Sequence, residues 1–394
     1  MKSLSFSKSD APSISATEYG AIWNGGTRAW DSTENFTKMV VSAPGTLRNM
    51  QVVWNNSPGS GRSQTITLRK NGASSALAVE VADTNTTGID DSNEVSVSPG
   101  DIVNLMHTDT NAIFSGRTPS VCIEFEGDNA KESNIFSGTL GSSADGYFNF
   151  QGGSIPTATQ ADAQQLIDTP GVISDLYVAL PENSADGQTY TLYKNGVATS
   201  LTVTVSSGNS TGNDTSNTVS VVKGDLVCWY VTGIGTQKMG WLGATFTATT
   251  DEEFPICAST SNNPGDTGND YGYINHGHNV TPNGTESTFQ QVANAMQITS
   301  LSAEVTTAPG SGSDWVLGLR VNGSLSSLTA TIDGTNTTGS GTSTVDISSG
   351  DLINIEIDPS DPSNEPTLPG EMYWGMTGKV VEAGATFIPK VIMF

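Results

Sequence analysis

Apolar and polar residues alternate along much of the chain with a period of two, the mark of strands with one buried and one wet face. The clearest run sets Leu77, Val79 and Val81 against Ala78 and Glu80. The same rows recur as Leu201, Val203 and Val205 against Thr202 and Thr204, and as Leu328, Ala330 and Ile332 against Thr329 and Thr331. A second strand precedes each run, marked by Ile66/Leu68, Tyr190/Leu192 and Leu317/Leu319. Between the two strands lie Asn71-Gly72, Asn195-Gly196 and Asn322-Gly323. Both residue types tolerate positive φ, so each pair predicts a type I′ hairpin turn. A longer loop is the alternative, because several residues separate each pair from the next apolar row.

The likeness extends further. A Thr-Gly pair follows in each copy, at Gly88, Gly212 and Gly339, and then a strand (Val95/Val97, Val219/Val221, Val345/Ile347). Gly100-Asp101, Gly224-Asp225 and Gly350-Asp351 turn the chain into Ile102–Leu105, Leu226–Trp229 and Leu352–Ile355. Thr67–Asp101, Tyr190–Asp225 and Leu317–Asp351 are therefore three copies of one stretch, offset by 124 (71 to 195) and 127 residues (195 to 322). That offset is too long for a solenoid repeat and suits one independent domain per copy.

Taken in order, residues 1–14 read as a loose or partner-bound arm, whose alternating Leu4 and Phe6 suit a strand added to a neighbour or a frayed end. A first domain is expected over 15–127, with strands near Tyr19–Trp23, Phe36–Val41, Leu47–Trp54 and Pro119–Phe125 around the repeated stretch. That makes about eight strands, the number of a two-sheet jelly roll. A second domain, 128–250, adds Ile135–Gly138, Tyr147–Phe150, Val172–Leu180 and Met239–Thr247, with Gln160–Ile167 as its one piece of helical composition. A third, 251–383, opens on FPICAST and ends on Met372–Val381. The fold class expected is all-β: three tandem antiparallel β-sandwich (jelly-roll) domains. Residues 384–394 form an apolar tail ending in Val391, Ile392, Met393 and Phe394. An exposed tail of this kind is an aggregation hazard, so it is expected to dock as an assembly segment on its own domain or on a neighbouring chain.

Composition narrows the class. The 394 residues carry 40 acidic and 16 basic side chains, for a net charge of −24. Self-repulsion on that scale favours solubility and argues against nucleic acid or an anionic membrane as partner. No run approaches the ~20 apolar residues of a membrane helix. The opening MKSLSFSKSDAPS lacks the apolar core of a signal peptide, so the chain is expected either not to be secreted by the general route or to leave its cell inside something else, such as a virion released by lysis. Cys122, Cys228 and Cys257 show no paired spacing and read as buried free thiols.

Candidate chemistry is sparse. His276 and His278 project to one side if the segment is a strand, and Asp266 and Asp270 lie just upstream, a set that suits a transition metal. A solvated loop is the simpler account, since Gly277 interrupts the segment and no other copy has the histidines. Asp101, Asp225 and Asp351 recur at one position, but one carboxylate is far short of a calcium shell; capping of turn N–H groups explains them better. Asp90-Asp91 and the 251–253 triplet are weak calcium candidates for the same reason. His107 has no evident partner. Trp23 with Trp30, or Trp241 with Trp374, would serve as a sugar-stacking platform, although core packing is the commoner fate of a strand tryptophan. No catalytic motif is present, so no enzyme, cofactor or metal is expected.

The repeated pattern, (T/G)-L-(R/Y)-x-N-G followed by L-x-(V/A)-x-(V/I), N-(T/S)-T-G and V-x-(V/I)-x-x-G-D, resembles the small jelly-roll modules of tailed-phage virion proteins. Their topology is similar to the tumour-necrosis-factor and C1q-like trimeric domains. The resemblance covers about 35 residues in each copy. It implies a non-enzymatic virion structural protein on the outside of a capsid or tail, as a decoration or fibre component. The implied partners are other virion proteins or copies of itself, with a host-surface glycan as a further one. A carbohydrate-binding adhesin or receptor-binding protein and a filament-forming cell-surface protein are the alternatives. Three copies in one chain make either a covalent pseudo-trimer or three beads that trimerise with other chains.

Overall fold

The computed structural model describes residues 2–8, 11–13, 16–25, 30–110, 117–139, 144–233, 240–260, 263–265, 268–275, 281–359 and 366–381. Over these residues the chain is all-β, built of antiparallel sheets in three successive pairs. The first pair contains β1 (Lys2–Lys8), β2 (Glu18–Gly20), β3 (Asn24–Gly25), β4 (Met39–Val40), β5 (Gly45–Trp54) and β6 (Gly59–Lys70). It continues through β7 (Ala73–Asp83), β8 (Thr87–Asp90), β9 (Val95–Val97), β10 (Ile102–Thr110) and β11 (Pro119–Gly127). One sheet runs β3-β1-β11-β5-β8, with β9 beside β5; the other runs β2-β10-β6-β7, with β4 beside β10.

The second pair repeats this order. Its strands are β12 (Glu132–Thr139), β13 (Gly146–Asn149), β14 (Gly152–Ser154), β15 (Gln165–Leu166), β16 (Gly171–Ala179) and β17 (Gln188–Lys194). Next come β18 (Val197–Val205), β19 (Thr211–Asp214), β20 (Val219–Val221), β21 (Leu226–Thr232) and β22 (Gly240–Ala248). The third pair uses β23 (Glu253–Thr260), β24 (Asp270–Gly272), β25 (Gln291–Val292), β26 (Met296–Val305), β27 (Asp314–Val321) and β28 (Ser324–Asp333). It closes with β29 (Thr338–Ile347), β30 (Leu352–Asp358) and β31 (Met372–Val380). Here β29 is one long strand where the other copies have two short ones, and its Gly339 and Gly341 lie against the backbone of Thr331 and Thr329.

The alternating rows face inward. Leu77, Val79 and Val81 of β7 meet Leu47, Met50 and Val52 of β5 and Ile123 and Phe125 of β11 in the core of the first sandwich. Each Asn-Gly pair makes a two-residue turn: Asn71 and Gly72 have φ of 52° and 79°, and the pairs at 195 and 322 match them. The longer loop is not used. Helix is confined to short pieces, a 3-10 turn over Glu34–Phe36, α1 (Gln160–Ala163) and α2 (Glu286–Phe289). The expected strand Phe36–Val41 is thus a turn followed by β4, and the helical composition from Gln160 stops at Ala163, where the chain turns extended as β15.

The first residues are not a loose arm. They form β1, paired antiparallel with β11 from Lys2↔Glu126 to Lys8↔Ser120. Ser3 and Ser5 lie opposite Phe125 and Ile123, on the face toward their own core, while Leu4 and Phe6 are fully buried among residues of the other two sandwiches. That inversion points to the seams.

Candidate functional site

The three sandwiches meet one another head to tail, and the same positions make the contact each time. Val41, Ile167 and Ala293 donate their backbone N–H to the carbonyls of Asp101, Asp225 and Asp351 at 2.8, 2.9 and 2.9 Å. This ties Val40, Leu166 and Val292 into one equivalent place in the three copies. The Val40 carbonyl lies against Gly243 in β22 of the second sandwich, and the Leu166 carbonyl lies against Gly375 in β31 of the third. Val292 donates its N–H to Ser120 Oγ (2.8 Å) in β11 of the first. By register Gly243, Gly375 and Cys122 are one position, opposite Phe136, Cys257 and Phe6. The third sandwich therefore returns to the first, and the chain closes on itself.

Polar groups set the register at each seam. Asn134 Oδ1 accepts from Ser42 N (2.7 Å), Ser42 Oγ (2.8 Å) and Ala43 N (2.9 Å). At the next seam Asp168 accepts from Ser302 Oγ (2.6 Å), from Thr377 Oγ1 (2.8 Å) and from Ser300, all in the third sandwich. Lys223 Nζ, from its own sandwich, sits 2.8 Å from the same carboxylate. At the closing seam Asn294 Nδ2 donates to the Asn49 carbonyl (2.7 Å), and Gln51 pairs with Ser349. Asn49 has φ of 49° at a bulge in β5, which turns its carbonyl out of the ladder.

A further equivalent position reaches the first strand of the neighbour. Gln151 Nε2 donates to the Pro255 carbonyl (3.0 Å), and its Oε1 accepts from Cys257 N (2.8 Å). Asn275 Nδ2 donates to the Phe6 carbonyl (2.9 Å) and is braced by Gln291 (2.7 Å). In the first sandwich the place is taken by Trp23, and Phe136 of β12 joins that core. Burying a side chain the size of Phe6 or Phe136 contributes about 2 kcal/mol each. Lys8 adds a cation at the closing seam, donating to the carbonyls of Ser287 and Gln290, both at 2.7 Å. Burial lowers its pKa to about 8.

The recurrent Asn and Asp of the repeat form a clamp under each hairpin. Asn71 Nδ2 donates to Asp101 Oδ1 (2.7 Å), Asn71 Oδ1 accepts from Ile102 N (2.9 Å), and Asp101 Oδ2 accepts from Ser98 N (2.8 Å). Asn195 with Asp225 and Val222, and Asn322 with Asp351 and Ser348, repeat the bonds within 0.1 Å. Gly100, Gly224 and Gly350 sit at φ of 88°, 93° and 93°, which the turn requires. Both oxygens of each carboxylate are engaged within the protein. Burial disfavours the ionised form of Asp101 and Asp225, and the hydrogen bonds outweigh it, holding both carboxyls below the usual range.

The other candidates divide. His276, His278, Asp266 and the tail residues Val391, Ile392, Met393 and Phe394 lie outside the described residues. Among the described residues no group of three His, Cys, Asp or Glu is placed to hold a metal, and no helix is long and apolar enough to cross a membrane. Of the two readings of the tryptophans, core packing holds: Trp23, Trp30, Trp241 and Trp374 are all buried and form no sugar-stacking platform. All three thiols are buried and free; burial pushes Cys228 up to about 12 and raises Cys122 and Cys257 as well. Asp90 accepts the N–H groups of Ala78, Ser92 and Asn93, blunting the exposed side of β7. His107 lies within β10, between Trp30 and Trp54. Asn134, Asp168, Gln151 and Lys8 carried no sequence signal, since nothing along the chain marks which polar residue meets another sandwich. Comparison of the sequence with protein-family models finds no match, and comparison with curated proteins finds none either.

Proposed function

We propose that this chain is a covalent pseudo-trimer of jelly rolls that serves as a non-enzymatic structural protein on the outside of a tailed-phage virion, as a decoration or fibre component. The observation that carries the reading is the closing seam, in which Val292, Asn294 and Asn275 of the third sandwich meet Ser120, Asn49 and Phe6 of the first. Heterologous contacts that close give a ring rather than an open filament. A chain that supplies its own three modules closes the ring with a single copy, and its net charge of −24 makes it strongly acidic. Adjacent first and last strands in each sandwich (β1 with β11, β12 with β22, β23 with β31) support a jelly-roll topology.

The expected solution mass of the purified chain is that of one copy, about 41 kDa. A concentration-independent mass three times larger would overturn the pseudo-trimer. An antibody raised against the purified chain should label intact tailed particles from a lysate of its source. Labelling that stays with cell debris and spares the particles would overturn the virion role.

A further inference from the structure

Tyr147 of β13, Tyr193 of β17 and Tyr230 of β21 gather on the outer face of the second sandwich. Their ring centroids lie 5.3, 4.5 and 5.6 Å apart, and all three rings are half-buried. The same face carries two hydroxyl pairs, Thr189 with Thr204 (2.9 Å) and Thr191 with Thr202 (2.8 Å).

The sister sandwiches fill this place differently. Tyr19, Tyr147 and Tyr271 are equivalent, each making one isolated bridge, to Asp31, Thr157 and Asn283. Arg69, Tyr193 and Arg320 each stand two residues before the turn asparagine. In the first sandwich Arg69 lies 5.5 Å over the Tyr19 ring and is paired with Glu34. In the third, Arg320 lies 5.4 Å over Tyr271 and is paired with Glu286 and Glu356. A self-neutralised Tyr–Arg–Glu set therefore suffices for the fold at this place. The second sandwich replaces it with uncharged rings, leaving aromatic surface in water on a chain whose net charge is −24.

We propose that the Tyr147–Tyr193–Tyr230 face is a binding site for a neutral saccharide. A pyranose ring offers an apolar C–H face edged by hydroxyls, and the tyrosine rings with their threonine surround offer the complementary pair. Tyrosine provides contact area at low entropic cost together with a polar tip. None of these seven side chains carries a charge to pair with an ionic ligand, and the acidity of the whole chain repels anionic glycans.

The test is ligand-observed NMR on the full chain with neutral oligosaccharides of glucose, galactose, mannose and N-acetylglucosamine, beside acidic glycans. Saturable binding of at least one neutral member is expected. Tyr193→Ala should weaken it about tenfold, the upper end for one aromatic contact. Tyr193→Phe, which keeps the ring, should retain it. The triple change Gln160→Glu, Tyr193→Arg, Tyr230→Glu, at the positions equivalent to Glu286, Arg320 and Glu356, installs the set of the third sandwich and should abolish binding with the melting temperature unchanged. No neutral ligand, binding confined to acidic glycans, or binding that survives the triple change would overturn the proposal. So would a concentration-dependent mass that Tyr193→Ala removes, which would make the face a contact between copies.

Discussion

The carbonyl oxygen of Val40 occupies the space that a Cβ would need on Gly243. Neither Gly243 nor Gly375, which faces Leu166 in the same way, has positive φ, so close approach rather than backbone freedom requires a glycine at both. Gly243→Val or Gly375→Val should cost about 1–3 kcal/mol by overpacking. Urea midpoints read the cost. Hydrogen exchange should speed up in Val40–Ala43 for the first variant and in Leu166–Thr169 for the second. Unchanged exchange there, with or without a stability loss, would contradict the seam.

Asp168 is the acceptor on which the second and third sandwiches converge. Asp168→Ala takes this acceptor from three hydroxyls and should cost about 3–5 kcal/mol, from the loss of three hydrogen bonds to a buried charged group. Lys223 is different, because its side chain is 41% exposed and solvent screens the pair. Lys223→Ala should therefore cost no more than about 1 kcal/mol. Chemical denaturation of the two variants separates them; equal costs would mean that the hydroxyl bonds contribute little.

The turn clamps have a pH signature. The folded pKa values of Asp101 and Asp225 lie below the unfolded value of 3.8. Their stabilisation is therefore fully present above that value and lost as pH falls through the folded pKa. Asp101→Asn with Asp225→Asn should lower stability at pH 6 and flatten the acid limb below pH 3.8. A double variant with the wild-type acid limb would sink this account.

His107 acts in a separate window. Its ring lies 5.8 Å from Trp30 and 5.6 Å from Trp54, and neither nitrogen has a hydrogen-bond partner. Burial lowers its pKa from 6.5 to about 4, partly opposed by Asp109 and Glu18. Between those values the unfolded chain binds the proton and the folded one does not, so stability falls as pH drops from 6.5 to about 4. The loss is on the order of 3 kcal/mol. His107→Phe should remove this slope from the pH dependence of the urea midpoint while leaving the lower limb of the aspartates. A slope that persists in the variant would clear His107 of any part in it.

Much of this architecture is written locally. Period-two rows such as Leu77, Val79 and Val81 specify which face of a strand is buried, and Asn71-Gly72 specifies the turn, because both depend on residues a few positions apart. The recurrence of Asn71, Asn195 and Asn322 with Asp101, Asp225 and Asp351 shows that the unit is used three times, and capping chemistry follows from the residue types. The end strands are less legible. Leu4 and Phe6 alternate like any strand, yet their apolar side faces other sandwiches and Ser3 and Ser5 face their own core. An alternation rule assigns the apolar side to the local core, and here it inverts.

The sequence by itself determined an all-β chain, its hairpins, its clamps and its threefold repetition, since these follow from periodicity and turn chemistry within each copy. Tertiary structure decided that the copies close on one another. That outcome depends on Val40 over Gly243, Leu166 over Gly375 and Asn275 on Phe6, pairs up to 269 residues apart whose meeting no local pattern encodes. It also decided that the tryptophans are core and that three scattered tyrosines share one outer face. Strand register, not spacing along the chain, brings such side chains together.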